Sequence, residues 1–398
     1  MSNLNLPSGW TTTTLGTFMD FKNGVNADKD AYGKGIKFVN VMDIFRKNCL
    51  SSDDVIGSVE ITEKQLNEYS VVRGDILFNR TSETPEEIAF SSVYLGEEKI
   101  TFGGFVIRGR QTKQLLLPEF AKYCFKTDTI RKEMIRRSQG AVRANIGQKD
   151  LSKVPIVIPT ETDQQIIVSI LDEWRHMIEK TEALIDAKER QFGWLVTRLI
   201  NRSGHKKKQL SDFISEVSMR NRDNEIDRVL SVTNRNGFVL PEDQFERRVA
   251  SANVTNYKIV QQGQYAYNPS RINVGSIARL DDWDNGILSP MYTVFKLDQK
   301  MANSDYFLHW LSSSEAKQRI KKSAQGSVRE TVSFGDLGAI PICLPELSVQ
   351  QNIANTLNTA KEEIKLLKKL ADQYRTQKRG LMQKLLSGEW HIKNKEAA

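Results

Sequence analysis

Arginine, lysine, asparagine and glutamine gather with serine and threonine in short turns of this 398-residue chain. These residue types do one kind of chemistry well, which is to hydrogen-bond nucleic-acid bases and phosphates. Arg presents a fork to O6 and N7 of guanine, Asn and Gln match N6 and N7 of adenine, and Lys, Ser and Thr hold phosphate oxygens. In the first half of the chain the candidate sets are Lys22-Asn23-Gly24, Asn79-Arg80-Thr81-Ser82, and Gln139-Gly140 with Arg143. In the second half they are Arg220-Asn221-Arg222, Asn234-Arg235-Asn236-Gly237, Asn268-Pro269-Ser270-Arg271, and Gln325-Gly326 with Arg329. Taken singly, each reads more simply as a solvated turn. Equivalent polar loops in both halves strengthen the set, though not each member. Arg143 and Arg329 also have a structural alternative, an ion pair near the base of a helix.

Residues that would break or make covalent bonds do not assemble into any pattern. There is no Walker A loop and no G-x-G-x-x-G; Gly33-Lys34-Gly35 is too short a match to carry meaning and reads as a turn. Asn268-Pro269-Ser270-Arg271 is superficially like the Asn-Pro-Pro-aromatic motif of adenine methyltransferases. It lacks the second proline and the aromatic that would stack on a flipped base, and no glycine-rich methyl-donor loop accompanies it. Glu97-Glu98-Lys99 contains an E-x-K without a convincing upstream aspartate on a strand. His176, His205, His309 and His391 are far apart and read as solvated or packing residues. Cys49, Cys124 and Cys343 show no metal or redox spacing, and an odd number argues against a disulfide framework. The expectation is a binding protein with no catalytic residue and no metal site.

The elements that must position the loops announce themselves by repetition. Pro155-Ile-Val-Ile-Pro159 followed by Gln164-Gln165 returns 186 positions later as Pro341-Ile-Cys-Leu-Pro345 followed by Gln350-Gln351. The same offset carries Gln139-Gly140, Arg143 and Asp150-Leu151 onto Gln325-Gly326, Arg329 and Asp336-Leu337, so the chain is a tandem of two similar halves. Each copy leads into a heptad pattern. In the first copy the two series are Ile167, Trp174, Thr181, Lys188, Leu195 and Leu171, Ile178, Ile185, Phe192, Leu199. In the second they are Ile353, Ala360, Leu367, Tyr374, Leu381 and Leu357, Ile364, Ala371, Lys378, Leu385. Such seams predict two long helices packed on each other.

The expected domains are 1–158, a strand-rich mixed α/β unit; 159–202, a first long helix capped by Thr160 or Thr162; 203–345, a second unit of the same plan; 346–388, a second long helix stopped by Gly388; and a tail, 389–398. Ile36–Val41, Asp75–Phe78 and Gly104–Ile107 read as strands, and Pro118 to Arg137 as one helix ending before Gln139-Gly140. His205-Lys206-Lys207-Lys208 reads as a basic linker.

Composition frames the rest. Hydrophobic residues make up 39% and charged residues 27%, the balance of a soluble globular protein. Lys and Arg number 57 against 49 acidic residues, a net charge of +8 with a pI near 9.2, consistent with a polyanionic partner. No signal peptide and no membrane-length apolar run is visible. The expectation is a cytoplasmic, prokaryotic protein with no membrane partner.

The order of these parts resembles the DNA-specificity subunit of type I restriction–modification systems. The resemblance covers essentially the whole chain. It is carried by Leu6-Pro-Ser-Gly-Trp10 with Leu15-Gly16, Gly74-Asp75-Ile-Leu-Phe78, Tyr267-Asn-Pro-Ser-Arg-Ile-Asn-Val-Gly275, and the two Pro and Gln-Gln repeats. The resemblance implies an α+β fold: two globular target recognition domains in a pseudo-twofold arrangement, separated by two long antiparallel helices forming a coiled coil. It implies that each domain reads one half of a split, asymmetric site in double-stranded DNA and that the helix pair sets the gap. It further implies a non-catalytic subunit with no cofactor of its own. That subunit docks two modification (adenine-N6 methyltransferase) subunits and recruits restriction (endonuclease and translocase) subunits. S-adenosylmethionine, Mg2+ and ATP would belong to those partners.

Overall fold

The computed structural model describes residues 6–140, 143–200, 206–241, 253–325 and 331–390. The chain divides into two compact units, one formed by Met1–Lys180 with Leu370–Ala398, the other by Thr181–Lys369.

In the first unit a five-stranded sheet runs in the order Met19–Asn23, Val106–Gln111, Ile76–Asn79, Ser91–Tyr94, Cys49–Leu50. Its pairs are antiparallel except the last. Ile76–Asn79 is buried on both faces, as a central strand requires. Thr11–Thr14 pairs with Pro155–Ile158, with Thr11 opposite Ile158, which ties the start of the chain to the entry of the first long helix. Asp75 anchors the turn before the central strand. Its buried carboxylate accepts the Val72 amide at 2.8 Å and both arms of Arg110 at 2.7 and 2.6 Å.

The second unit repeats the plan with fewer strands in its main sheet among the described residues. Its sheet runs Ile214–Val217, Thr293–Leu297, Tyr265–Tyr267, Ile277–Arg279, all antiparallel. Lys206–Gln209 pairs with Pro341–Leu344, the counterpart of the pairing at the first helix entry.

The single helix expected over Pro118 to Arg137 is two helices, Pro118–Cys124 and Asp128–Arg137. The break is a capping event: the Thr127 hydroxyl accepts the Ile130 amide and starts the second helix afresh. The second unit breaks at the equivalent place. There Ser304–Ser312 gives way to Ser314–Gln325, and the Ser313 hydroxyl accepts the Ala316 amide at 3.2 Å. Helical periodicity runs across both breaks because the apolar face is continuous, so spacing alone does not reveal them.

The two long helices are Glu161–Ile200 and Leu347–Ser387. Thr160 caps the first, accepting the Asp163 amide at 3.2 Å; Gly388, at φ +77°, ends the second. Along the seam Ile167, Leu171, Ile185, Ile353, Leu357, Ile364 and Leu385 are buried. Trp174, Ile178, Phe192, Leu195, Leu199, Leu367, Tyr374 and Leu381 are half-buried. In the first unit Ile167 and Leu171 share a core with Leu385 and Leu386, and Trp174 meets Tyr374 edge-on at 5.8 Å. In the second unit Val196 and Ile200 share a core with Ile353 and Leu357. The early part of one helix thus packs with the late part of the other, the antiparallel arrangement.

The repeated glutamines fix each helix to its sheet domain. Gln164 accepts the Leu117 amide and donates to the carbonyls of Leu115 and Pro159, at 2.8, 2.8 and 3.1 Å. Gln350 does the same with Asn303, Met301 and Pro345, at 2.8, 3.1 and 2.8 Å. Both are buried. About two turns further the two junctions part company. Asp172 takes Lys122 at 2.8 Å, Tyr123 and Arg175. At the equivalent positions His309 meets Asn358 at 2.7 Å, which in turn donates to Asp305 at 2.9 Å.

Candidate nucleic-acid interface

Loops at the ends of the central strands carry the polar side chains. In the first unit Thr81–Ser82 pairs with Ala144–Asn145, and Asn145 exchanges two backbone hydrogen bonds with Gln139 at 2.8 Å. Asn145 also accepts the Thr81 hydroxyl at 2.9 Å and donates to the Arg143 carbonyl at 3.0 Å. The strand end therefore gathers Arg80, Thr81, Gln139 and Arg143. The repeated glycine has a local reason: Gly140 sits at φ +116°, and a Cβ there would lie 2.1 Å from the Arg143 carbonyl oxygen. Arg143 is exposed and makes no ion pair among the described residues, so the alternative of an acid near the helix base is not what the structure presents.

Other first-unit candidates are occupied. Lys22 pairs with Glu68 at 2.9 Å and lies over the Tyr69 ring. Asn23 ends its strand half-buried. Asn79 is buried and donates to the Thr81 carbonyl at 3.3 Å. Ser82 is buried against Glu87, 3.1 Å away. Asn79 and Ser82 shape the loop from beneath and offer no polar atom to an incoming base.

In the second unit the turn bearing Asn234, Arg235 and Asn236 joins Ser231–Thr233 to Gly237–Val239, and all three side chains are exposed. It leans on the loop after the central strand: a Cβ on Gly275, at φ +98°, would touch Asn234 at 3.5 Å. In that loop the Asn268 carboxamide oxygen accepts the Ser270 amide at 3.0 Å, turning exposed Ser270 and Arg271 outward. The Val332 amide reaches the Pro269 carbonyl at 3.0 Å. Gln325 closes its helix, and Arg329 lies outside the described residues. Arg220 and Arg222 stand on a separate turn, with Arg220 donating to the Asn256 carbonyl at 2.7 Å. Asn221 is buried, bonded twice to Ile226, and holds that turn closed.

Sequence reasoning passed over Asn145, which no local signal marks, since its partner Thr81 is 64 residues away. It also passed over Phe105, whose carbonyl accepts the Arg80 amide at 2.8 Å. Among the described residues no group of three or more His, Cys, Asp or Glu side chains could hold a metal ion. No described helix is long and apolar enough to cross a membrane.

Known proteins resemble this chain in sequence and in fold. The chain is 23% identical to the putative type I restriction enzyme MjaX specificity subunit of Methanocaldococcus jannaschii, over 98% of this chain and 95% of that protein. The HsdS subunit from Thermoanaerobacter tengcongensis superposes with a TM-score of 0.55 at 13% identity, covering 98% of this chain and 99% of that one. A chain solved in a study of complex assembly and conformational transition of a type I R-M system gives a TM-score of 0.64. It too is 13% identical, with 98% of this chain and 100% of that chain covered. The structural likenesses speak to the fold. The family model for the type I restriction modification DNA specificity domain matches residues 7–187 and 247–373, most of the chain in two blocks, and the protein accordingly belongs to the family of non-catalytic DNA-specificity subunits of type I restriction–modification systems.

Proposed function

We propose that this chain reads a bipartite, asymmetric site in double-stranded DNA, one half with each unit. The recognition domains are residues 1–158 and 203–345, joined by helical segments 159–202 and 346–388. The observation that carries the reading is the duplication of scaffold without duplication of surface. Each unit presents a polar loop at the end of its central strand, Arg80–Thr81 in one and Ser270–Arg271 in the other. Each is backed by a second polar segment, Gln139 with Arg143 and Asn234 to Asn236. Identical jobs on different half-sites call for matched supports and unlike readers.

The helix pair serves as the spacer. A 40-residue helix runs roughly 60 Å, against a DNA helical repeat of roughly 34–36 Å. A rigid link raises the effective concentration of the second reader once the first is bound. Each mismatched base pair costs on the order of 1–3 kcal/mol, so two readers multiply discrimination. The helices also leave Met177, Leu184, Trp194 and Leu366 exposed, apolar side chains suited to docking partner helices. Two modification subunits and the restriction subunits are the partners this reading calls for. S-adenosylmethionine, Mg2+ and ATP would be bound by them.

The test is an exchange. Residues 1–158 are replaced by the corresponding domain of another family member, and adenine methylation is mapped with the modification subunits present. One half of the methylated motif should change while the other half stays. A change in both halves, or in neither, would refute the division of labour.

A further inference from the structure

Gly103 to Val106 is a tight turn closed by the Val106 amide on the Gly103 carbonyl at 2.9 Å. Ser289 to Tyr292 is a second, closed by the Tyr292 amide on the Ser289 carbonyl at 3.0 Å. They lie 186 positions apart, the same offset that relates the two helix entries. The third residue of each turn is large, apolar and directed to solvent: Phe105 is 68% exposed and Met291 61%. The strand residues that follow them, Val106 and Ile107 in one unit and Tyr292 and Val294 in the other, are buried. One exposed apolar side chain is ordinary on any surface. Two at the same position of a duplicated turn, in domains whose sequences otherwise diverge, call for a shared cause.

The first turn is held rigidly. The Val25 amide bonds the Phe102 carbonyl at 2.9 Å, and the Gly24 amide bonds the Val106 carbonyl at 3.2 Å. A Cβ on Gly24 would meet the Gly103 carbonyl oxygen at 2.2 Å, and one on Gly103 would meet the Phe38 ring at 2.7 Å. In the second turn Pro290 restricts the backbone before Met291. Each apolar tip also stands beside the polar loop of its own unit. Arg80 donates its amide to Phe105, and the Asn268 carboxamide nitrogen lies 4.0 Å from the Met291 sulfur.

We propose that Phe105 and Met291 are apolar wedges, each inserted between two base pairs of its half-site and unstacking that step while the adjacent polar loop reads base edges. The inference rests on the two-half-site reading above. Side chains of these types are those that penetrate and kink duplexes, and burying them offsets the lost stacking. A ring on a fixed turn loses little conformational freedom on insertion, whereas an unbranched thioether adapts to the step it enters.

The full chain with its modification subunits is tested on duplexes carrying 2-aminopurine at successive positions of the site, itself defined by methylome sequencing. Fluorescence should rise at one step in each half-site other than that of the methylated adenine, whose own flipping also unstacks the probe. Phe105→Ala should abolish the first signal, spare the second, and weaken binding about tenfold or more; Phe105→Trp should restore both properties. Met291→Ala should do the same in the other half, with Met291→Leu as its rescue. Both side chains project to solvent, so unchanged thermal unfolding of the variants separates contact from folding. If the parent complex binds and methylates its site while every step other than the flipped adenine stays dark, the wedge is wrong and the half-site reading survives. Alanine variants that bind within about twofold of the parent would equally overturn the wedge and leave the half-site reading standing. If the parent discriminates no bipartite site at all, both inferences fall together.

Discussion

Gln350→Leu is the change that most directly asks what seats a long helix on its recognition unit. Leucine nearly conserves volume, so cavity formation contributes little. What is lost is the set of three hydrogen bonds that the carboxamide makes to the Asn303 amide and to the carbonyls of Met301 and Pro345. Each buried backbone group left without a partner costs about 1–3 kcal/mol. Greater apolar burial and some water entry pull the sum toward the low end, giving about 3 kcal/mol in all. For a unit of this size that corresponds to a fall in midpoint of roughly 6–12 °C. Scanning calorimetry of the full chain should show the loss in the transition of Thr181–Lys369, the unit that contains Gln350. Gln164→Leu breaks the matching three bonds in the other unit and should move the other transition by a similar amount. A shift below about 2 °C for either variant would mean that these groups find other partners, and the account of the helix base would be refuted.

Two further outcomes follow from the unlike junctions about two turns along. Burial opposes the charge on Asp172, yet hydrogen bonds from Lys122 and Tyr123 outweigh it and hold its carboxyl below the ordinary 3.8. This contribution is present at neutral pH and is lost as pH falls below that value. Asp172→Asn should therefore destabilise the first unit near neutrality by about 1–3 kcal/mol. Urea midpoints of parent and variant should converge in acid; a pH-independent gap would contradict the ionic assignment. His309 is pushed below the usual imidazole value of 6.5, chiefly by burial, against the opposing hydrogen bond it donates to the Asn358 carboxamide oxygen. Its folded form resists the proton, so the second unit should lose stability as pH drops below 6.5. His309→Gln should flatten that dependence in melting curves taken at about pH 7.5 and about pH 5.5, and an unaltered slope would assign the effect elsewhere.

Much of the architecture was legible because its determinants are local or periodic. A heptad seam is a pattern within one helix, and a tandem repeat is visible by comparing a chain with itself. Breaks such as those at Thr127 and Ser313 were not legible in the same way, since the apolar stripe continues across them and a threonine in a helical pattern has no distinctive spacing.

At the loops, residue type identified who could bond to DNA but not who is free to. Ser82 and Asn221 have the right chemistry and spend it on their own backbone, and Asn79 is buried with its amide nitrogen on the Thr81 carbonyl. Lys22 spends its charge on Glu68. Arg80, Arg143, Arg235 and Arg271 remain exposed.

The amino-acid order alone determined that there are two halves and two long amphipathic helices. Periodicity and repetition need no knowledge of where the chain goes. Only tertiary structure decided which polar residues surface together, because β-pairing joins Thr81 to Asn145 and close packing sets Gly275 against Asn234. Only tertiary structure, likewise, placed Phe105 and Met291 on equivalent turns. An apolar residue is written the same way in a core and on a tip, and long-range contacts alone settle which it is.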